Sequence, residues 1–327
     1  MLGKILKDIK AQKKYAAVFK TLSAHYNRPE WLFRADAFWC RLFHGAELHY
    51  YFSLAMYRMN HKERMTFVNG RRMEKLERLF NTNPDKDAII NNKVGFNKMF
   101  AKYIRRDWMY APDHTPDEIK AFLERNSDIM VKPPDTNMGI GIFKTSCADA
   151  LKDFDAFVKK VVDGKMLMEA FIRQHPAMSE VNPTSVNTIR IATIRDRSGE
   201  VHFIGASLRG GGANQVVDNF KANGVQYPID PQTGIIIGGG VMHNGTRNVY
   251  FHPSTNKQMI GFQIPNWEQI TATVKEAGKL PENIRYIGWD MAVTEDGCDI
   301  VEANIHQGSN GMQQDGVGKY RVILQHK

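Results

Sequence analysis

Gly288–Gly308 reads GWDMAVTEDGCDIVEANIHQG, two short strands around a tight turn. Pairing Thr294 with Cys298 closes a loop of Glu295, Asp296 and Gly297, the glycine being free to take the positive φ that such hairpins need. On that register Asp290 lies opposite Glu302, and side-chain alternation puts Asn304 on the same face as Glu302. Like charges placed opposite each other destabilise a hairpin. A divalent cation between them removes the penalty. Carboxylate and amide oxygens, with phosphates as the remaining ligands, are what Mg²⁺ accepts. The competing reading is a solvated acidic hairpin, because Asp and Glu are common on exposed strands.

Outside this hairpin, the 327 residues have an ordinary globular composition, enough for two domains or one large one. No apolar run approaches a membrane span. The first residues lack the apolar core and small-residue cleavage site of a secretory signal. Cys40, Cys147 and Cys298 are widely spaced and form no CxxC pair, so neither a disulfide framework nor a zinc cluster is expected. A cytoplasmic location follows. The net charge of +9 favours acidic partners: nucleotides, nucleic acid, anionic lipids or acidic sugars. Much of the excess precedes Arg106.

Leu2 to Leu22 is a basic amphipathic helix, suited to docking on the protein's own core or to peripheral contact at the inner membrane surface. Glu30 to Asn81 reads as three helices, with Trp31, Phe38, Trp39 and Phe43 assigned to the core. Asn81-Thr82-Asn83-Pro84 marks the domain boundary. No nucleic-acid motif is present, so no nucleic-acid partner is expected. A helix starts near Lys93, which could reach a phosphate, and Thr115–Glu118 opens another. Ile129–Val131 is a strand ending in Lys132 and Pro133-Pro134. It leads into the loop Asp135–Gly141, where Gly139 and Gly141 would let backbone N–H groups approach an anion. This is neither a Walker loop nor GxGxxG. Further on come a helix over Leu151–Val162, the strand KMLMEAFI (Lys165–Ile172) and a hairpin of Asn187–Ile194 with Val201–Leu208. Arg190 stands mid-strand in that hairpin, where a guanidinium needs an anionic partner. A glycine-rich stretch with Asp218 and Asn219 follows, and Asn266 with Gln269 suggests a capping box. His175, His243 and His252 are candidate acid–base groups, though each is more often structural.

Lys93, the VKP of Val131–Pro133 with its glycine loop, MEAFI, DNFKANG and GWDMAV…DIVEANIHQG, in that order, resemble the ATP-grasp superfamily. SVNTIRIAT, HPSTNKQMIGFQIPNW and the helical front resemble its sugar-transfer-associated branch. The resemblance implies an α+β fold: an ATP-grasp domain of two subdomains clasping ATP, preceded by a mainly helical N-terminal region. The expected divisions are 1–90 (helical), 91–168 (lid-bearing) and 169–327 (metal-bearing). It implies that Asp290, Glu302 and Asn304 hold Mg²⁺ on ATP and that Lys93 and Lys132 contact the phosphates. Thr136, Asn137, Met138, Gly139 and Gly141 would belong to the lid, and the backbone of Glu169, Ala170, Phe171 and Ile172 would bind adenine. Asn219 would lie near the metals, and Arg190 would stabilise developing charge. Many peptide-forming relatives carry an Arg two residues before the first metal Asp. Here that position is Gly288, so the role passes to Arg190, Arg209 or Arg285.

The activity so implied is a carboxylate–amine ligase: ATP phosphorylates a small-molecule carboxylate, and an amine displaces phosphate. The branch's association with sugar transfer points to an amino acid or sugar acid in surface-polysaccharide synthesis. The alternatives are a kinase phosphorylating a hydroxyl and a non-catalytic nucleotide-binding protein.

Overall fold

The computed structural model describes residues 12–82, 90–136, 140–211, 224–242 and 245–327. Asn137, Met138, Gly139, Asn219 and His243, together with the first half of the basic helix, lie outside the described residues. Two antiparallel sheets organise the rest. The smaller contains β1 (Trp108–Tyr110), β2 (Asp128–Lys132), β3 (Phe143–Ser146) and β4 (Leu167–Ala170), in the order β1-β4-β2-β3. The larger contains β5 (Thr188–Arg195), β6 (Val201–Gly210), β7 (Val225–Ile229), β8 (Val241–Met242), β9 (Tyr286–Thr294) and β10 (Gly297–Asn304), in the order β10-β9-β5-β6-β7-β8.

Strand alternation sorts the larger sheet into two unlike faces. Ile189, Ile191, Trp289 and Met291 point to one side and join a core with Phe96, Phe100, Ile270 and Val274. Phe100 meets Trp289 edge-on at 5.4 Å. On the opposite face, Ala192, Ile194, Ile204 and Tyr286 pack under Met73, Leu76 and Phe80 of the helix Gly70–Phe80. Further along that same face stand Ser207, Arg190, Asp290 and Glu302, consecutive cross-strand neighbours on β6, β5, β9 and β10 respectively. This polar end of an otherwise apolar face is where the candidate site lies.

The front of the chain differs from expectation. Residues 30–81 form four helices (Glu30–His44, Leu48–Ser53, His61–Arg64 and Gly70–Phe80) and a 3₁₀ turn at Met56–Arg58. Trp31, Phe38, Trp39 and Phe43 are 40–65% exposed and not in the core. The helix Glu30–His44 carries apolar residues on two sides. The bundle buries Phe33, Ala37 and Cys40 against Phe19, Tyr51, Phe52 and Met56, because the smaller side chains allow closer helix approach. The helix expected at Leu151–Val162 is broken at Asp153 into Cys147–Lys152 and Phe154–Asp163. Asn266 makes no capping box. It adopts φ 55° and donates its side-chain amide to the carbonyls of Thr294 (2.9 Å) and Gly297 (3.1 Å), bracing the β9–β10 turn. The three cysteines are buried free thiols. No helix among the described residues is long and apolar enough to cross a membrane.

One buried cation ties the two sheets together. The Arg106 guanidinium donates to Glu169 on β4 (2.8 Å), to Asp299 on β10 (2.7 Å) and to the carbonyl of Ile300 (2.8 Å). Its backbone N–H reaches Asp299 at 3.0 Å. Burial would raise the Glu169 carboxyl. The charges of Arg106 and Lys132, with hydrogen bonds from Arg106 and Asn97, overcome this and hold it well below its ordinary 4.5. Among the described residues only Arg106 pairs with Asp299, and burial together with the charge of Glu169 pushes Asp299 up despite it. Arg106→Leu strands these carboxyls and is expected to cost about 3–5 kcal/mol in urea unfolding at neutral pH. Glu169 is depressed in the folded state, so its stabilising contribution is present above about pH 4.5 and is lost as pH falls below that. The cost of Arg106→Leu should therefore shrink in acid, and a cost independent of pH would contradict the ion-pair account.

Candidate functional site

The β9–β10 hairpin reaches the expected pairing by a different route. Thr294 pairs with Gly297, so the turn holds only Glu295 and Asp296, one residue fewer than expected. Unbroken, that register would set Val301 opposite Asp290. A bulge between Ile300 and Glu302 adds the missing residue and restores Glu302 to the position facing Asp290. Gly297 has φ 151°, and a Cβ there would collide with Arg105.

Asp290 is 3% exposed and held by two guanidiniums. Arg190 forks onto it, with Nη2 to Oδ2 at 2.8 Å and Nε to Oδ1, while its Nη1 donates to the carbonyl of Gln307 at 2.7 Å. Arg209 Nη1 donates to Oδ2 at 2.8 Å. Burial would raise the Asp290 carboxyl, but the charges of Arg190 and Arg209 hold it well below the usual carboxylate range. Glu302 behaves oppositely. Desolvation, then the charge of Asp290 and a hydrogen bond shared with it, push Glu302 up to about 7, against a hydrogen bond from Asn304. Glu302 is enclosed by protein yet open to solvent along one side, so water screens part of that effect. Asn304 Nδ2 donates to Glu302 Oε1 at 3.0 Å.

One carboxyl of the facing pair is thus ionised and the other readily holds a proton, the usual outcome when two acids share a site. A divalent cation answers the same demand, and two carboxylates and an amide are hard oxygen donors of the kind Mg²⁺ takes. The residues fit such an ion. To join them as a ligand, Asn304 must turn its amide over and present Oδ1 in place of Nδ2.

The lysines stand at the other wall. Asn92 caps the helix Lys93–Met99, accepting from the backbone N–H groups of Val94 (3.0 Å) and Gly95 (2.9 Å). This places Lys93 on the first turn, where its ammonium donates to the carbonyls of Pro133 (3.1 Å) and Thr136. Desolvation and then Lys132 lower the Lys93 pKa, while Glu302, Glu169 and Asp135 raise it. Lys93 therefore senses both Lys132 across the smaller sheet and Glu302 across the larger. Lys132 pairs with Glu169. In the loop, Thr136 Oγ1 donates to the carbonyl of Ile140 at 2.8 Å, and Gly141 turns at φ 74°, where a Cβ would come within 2.9 Å of Pro133.

Along Glu169–Ile172, the N–H of Ala170 donates to Asp107 (2.8 Å) and that of Phe171 to Asp128 (2.9 Å). Those two donors are spent within the fold. The N–H of Ile172 has no backbone partner among the described residues.

Several residues of the polar face escaped sequence reasoning. Ser207 lies opposite Arg190, and Gln226 opposite Arg209, positions legible only once strands β6 and β7 are paired. Gln307 folds over Gly288, where any Cβ would collide with it. Ser207 Oγ, Gln226 Oε1 and Gln307 Nε2 are buried without hydrogen-bond partners among the described residues. Arg285 stands apart from this face, bonded to the carbonyls of Arg195 and His326 (2.7 and 2.8 Å). His175 caps the helix Pro176–Val181, accepting from the backbone N–H of Ala177. Burial lowers His252 to about 4. The group Asp196, His202 and His326 also clusters potential metal donors. There Asp196 already serves a hairpin turn, bonding Ser198, Glu200 and His202.

Solved structures similar to this chain include the ATP-grasp ligase PsnB with its minimal precursor, at 13% identity and a TM-score of 0.46 over 76% of this chain and 64% of that one. A biotin carboxylase from Campylobacter jejuni shares 10% identity at a TM-score of 0.49, over 74% and 46% of the two chains. An L-amino acid ligase from Bacillus licheniformis shares 16% at 0.44, over 73% and 48%. The chain thus spans less than two thirds of the length of each of these three. No curated protein sequence matches it. The family model for sugar-transfer associated ATP-grasp proteins matches residues 71–320, so the chain belongs to that family and has the ATP-grasp fold.

Proposed function

We propose that this protein is an ATP- and Mg²⁺-dependent ligase that activates a carboxylate as an acyl phosphate for attack by an amine. The observation that carries the reading is the facing of Asp290 and Glu302 across β9 and β10, with Asn304 bonded to Glu302. In this reading the cations Lys93 and Lys132, suited to phosphate, and the carboxylates of Asp290 and Glu302, suited to a metal, would face a common cleft. Phosphoryl transfer asks mainly for positioning and charge neutralisation, which these groups supply without a covalent protein nucleophile.

Asp290, Glu302 and Asn304 would hold the cation, whose chemistry is to neutralise phosphate charge and orient the transferred group. Lys93 and Lys132 would take phosphate oxygens. For Lys132 this means exchanging Glu169 for phosphate, and Glu169 would keep Arg106 and Asn97. Thr136–Gly141 would close over the phosphates and exclude water from a hydrolysable intermediate. The N–H of Ile172, without a backbone partner among the described residues, and the carbonyls of Glu169–Ile172 suit an adenine edge. Arg190 has its fork committed to Asp290 and Gln307, so it serves as a positioning residue for the metal carboxylate. Arg209, a fifth exposed and directed at the same carboxylate, is better placed to meet substrate charge. Asn219 keeps its proposed place near the metals on the resemblance alone. The buried polar atoms of Ser207, Gln226 and Gln307 suit a polar, hydroxyl- or amide-bearing substrate. An amino acid or sugar acid in surface-polysaccharide synthesis has that chemistry.

Incubation with ATP, Mg²⁺ and a panel of such acids should yield ADP, and added hydroxylamine should trap the activated acid as a hydroxamate. Stable phosphate on an alcohol, with no hydroxamate from any acid, would instead establish a kinase. Lys132→Met should weaken ATP binding about tenfold or more by calorimetry, the scale of a lost charge-assisted contact, with little change in melting temperature because Arg106 still pairs Glu169. An unchanged affinity would remove Lys132 from the phosphate site.

Glu302→Gln should reduce turnover by about a hundredfold or more. It should also stabilise the protein in Mg²⁺-free buffer at pH 8. The Glu302 pKa is raised in the folded state, so its contribution to stability is full below its ordinary 4.5 and is lost as pH climbs through about 7. Removing the charge should therefore help at pH 8 and hardly matter below pH 4.5, as read by thermal melting. Loss of stability at pH 8 would show that Glu302 is structural.

A further inference from the structure

We propose that the outward face of the helix Glu30–His44 is a docking surface for an anionic lipid membrane. Trp31, Phe38, Trp39, Leu42 and Phe43 recur at helical spacing on that face, and Trp31 and Phe43 are each 65% exposed. The rings are ordered into a ridge: Trp39 and Phe43 stack at 5.4 Å with 18° between planes, and Phe38 meets Trp39 edge-on at 5.8 Å. The other side of the helix is held by the bundle core and by the bond from Tyr51 to Asp36 (2.8 Å), so the ridge cannot turn inward. A contiguous exposed patch of this kind marks an interaction surface.

Charge selects the occupant. Residues 1–82 contain sixteen Lys and Arg against seven Asp and Glu, a net +9 that equals the net charge of the whole chain. The remaining residues carry twenty-eight of each sign. Exposed Lys13, Lys14, Lys20 and Arg28 lie on the segment that packs against this helix. Indole and phenyl rings on a domain of net positive charge match the boundary between anionic headgroups and acyl chains. A second copy would instead bring two such positive regions together, which like-charge repulsion opposes. This proposal rests on neither the nucleotide site nor the ligase reading.

The test is co-sedimentation of the full-length protein with vesicles of phosphatidylcholine alone or with about one third phosphatidylglycerol, the anionic lipid supplying the surface charge. The protein should bind the anionic vesicles at least about tenfold more tightly, with a blue shift of tryptophan emission and weakening in high salt. The double variant Trp39→Gln/Phe43→Gln should bind about tenfold or more weakly while its melting temperature stays unchanged, since both side chains are exposed. Lys13→Glu/Lys14→Glu/Lys20→Glu should remove the preference for phosphatidylglycerol. Failure of the folded protein to bind anionic vesicles, equal binding to both compositions, or undiminished binding by the aromatic variant would each overturn the proposal. So would light scattering that shows a dimer dissociated by the aromatic substitutions while vesicle binding persists, which would assign the ridge to a second copy.

Discussion

Two carboxyl groups facing each other across one pair of strands set the terms for the larger sheet. At an effective dielectric of about 20, unit charges about 4 Å apart repel by about 4 kcal/mol, a large fraction of a domain's net stability. The fold answers with cations drawn from neighbouring strands. Arg190 on β5 grips Asp290 with two parallel bonds, and Arg209 on β6 adds a third. Both arginines are aimed at Asp290, so the asymmetry is built in. Asp290 is locked as an anion, and Glu302 is left as the member whose charge depends on what enters the cleft.

A second constraint lies on the facing wall and has the same form. Glu169 is buried among Arg106, Lys132 and Asn97. Arg106 serves the architecture, since it also reaches Asp299 and the carbonyl of Ile300 on the other sheet. Lys132 is the replaceable partner. A carboxylate with two cations can release one to phosphate and remain compensated, whereas a carboxylate with one cannot. Under the proposed function the two walls would be complementary: one has a cation it could lend to phosphate, and the other a negative charge that would accept a metal. Lys93 stands where both fields meet.

How much of this was legible beforehand follows from the range of each interaction. Strand alternation put Asp290, Glu302 and Asn304 on one face. The pairing was right even though the turn is one residue shorter than expected, because the bulge before Glu302 compensates. Arg190 announced an anionic partner by standing mid-strand among apolar neighbours, but its identity, Asp290, needed the β5–β9 pairing. Gln307 lying over Gly288 leaves no sequence signal, since it depends on how the chain returns after β10. The helix Glu30–His44 misled because two apolar stripes compete for one core, and propensity cannot rank them. Packing could, and it buried the stripe with Ala37 and Cys40.

The partition of charge bears on what the front of the chain is for. An ATP site needs positive charge, but local charge is enough: in the proposed site Lys93 and Lys132 would act at contact range, beyond which salt screens the rest within about 8 Å. The chain beyond residue 82, which holds every proposed site residue, is balanced with equal numbers of acidic and basic side chains. The surplus of nine therefore contributes nothing that the phosphate contacts require. It is concentrated where a stacked aromatic ridge faces outward, on a bundle whose own core is already filled. Surplus charge and exposed rings both carry costs in solubility or self-repulsion. Their coincidence in one region is explained when a single surface uses both, one for attraction over distance and the other for insertion at contact.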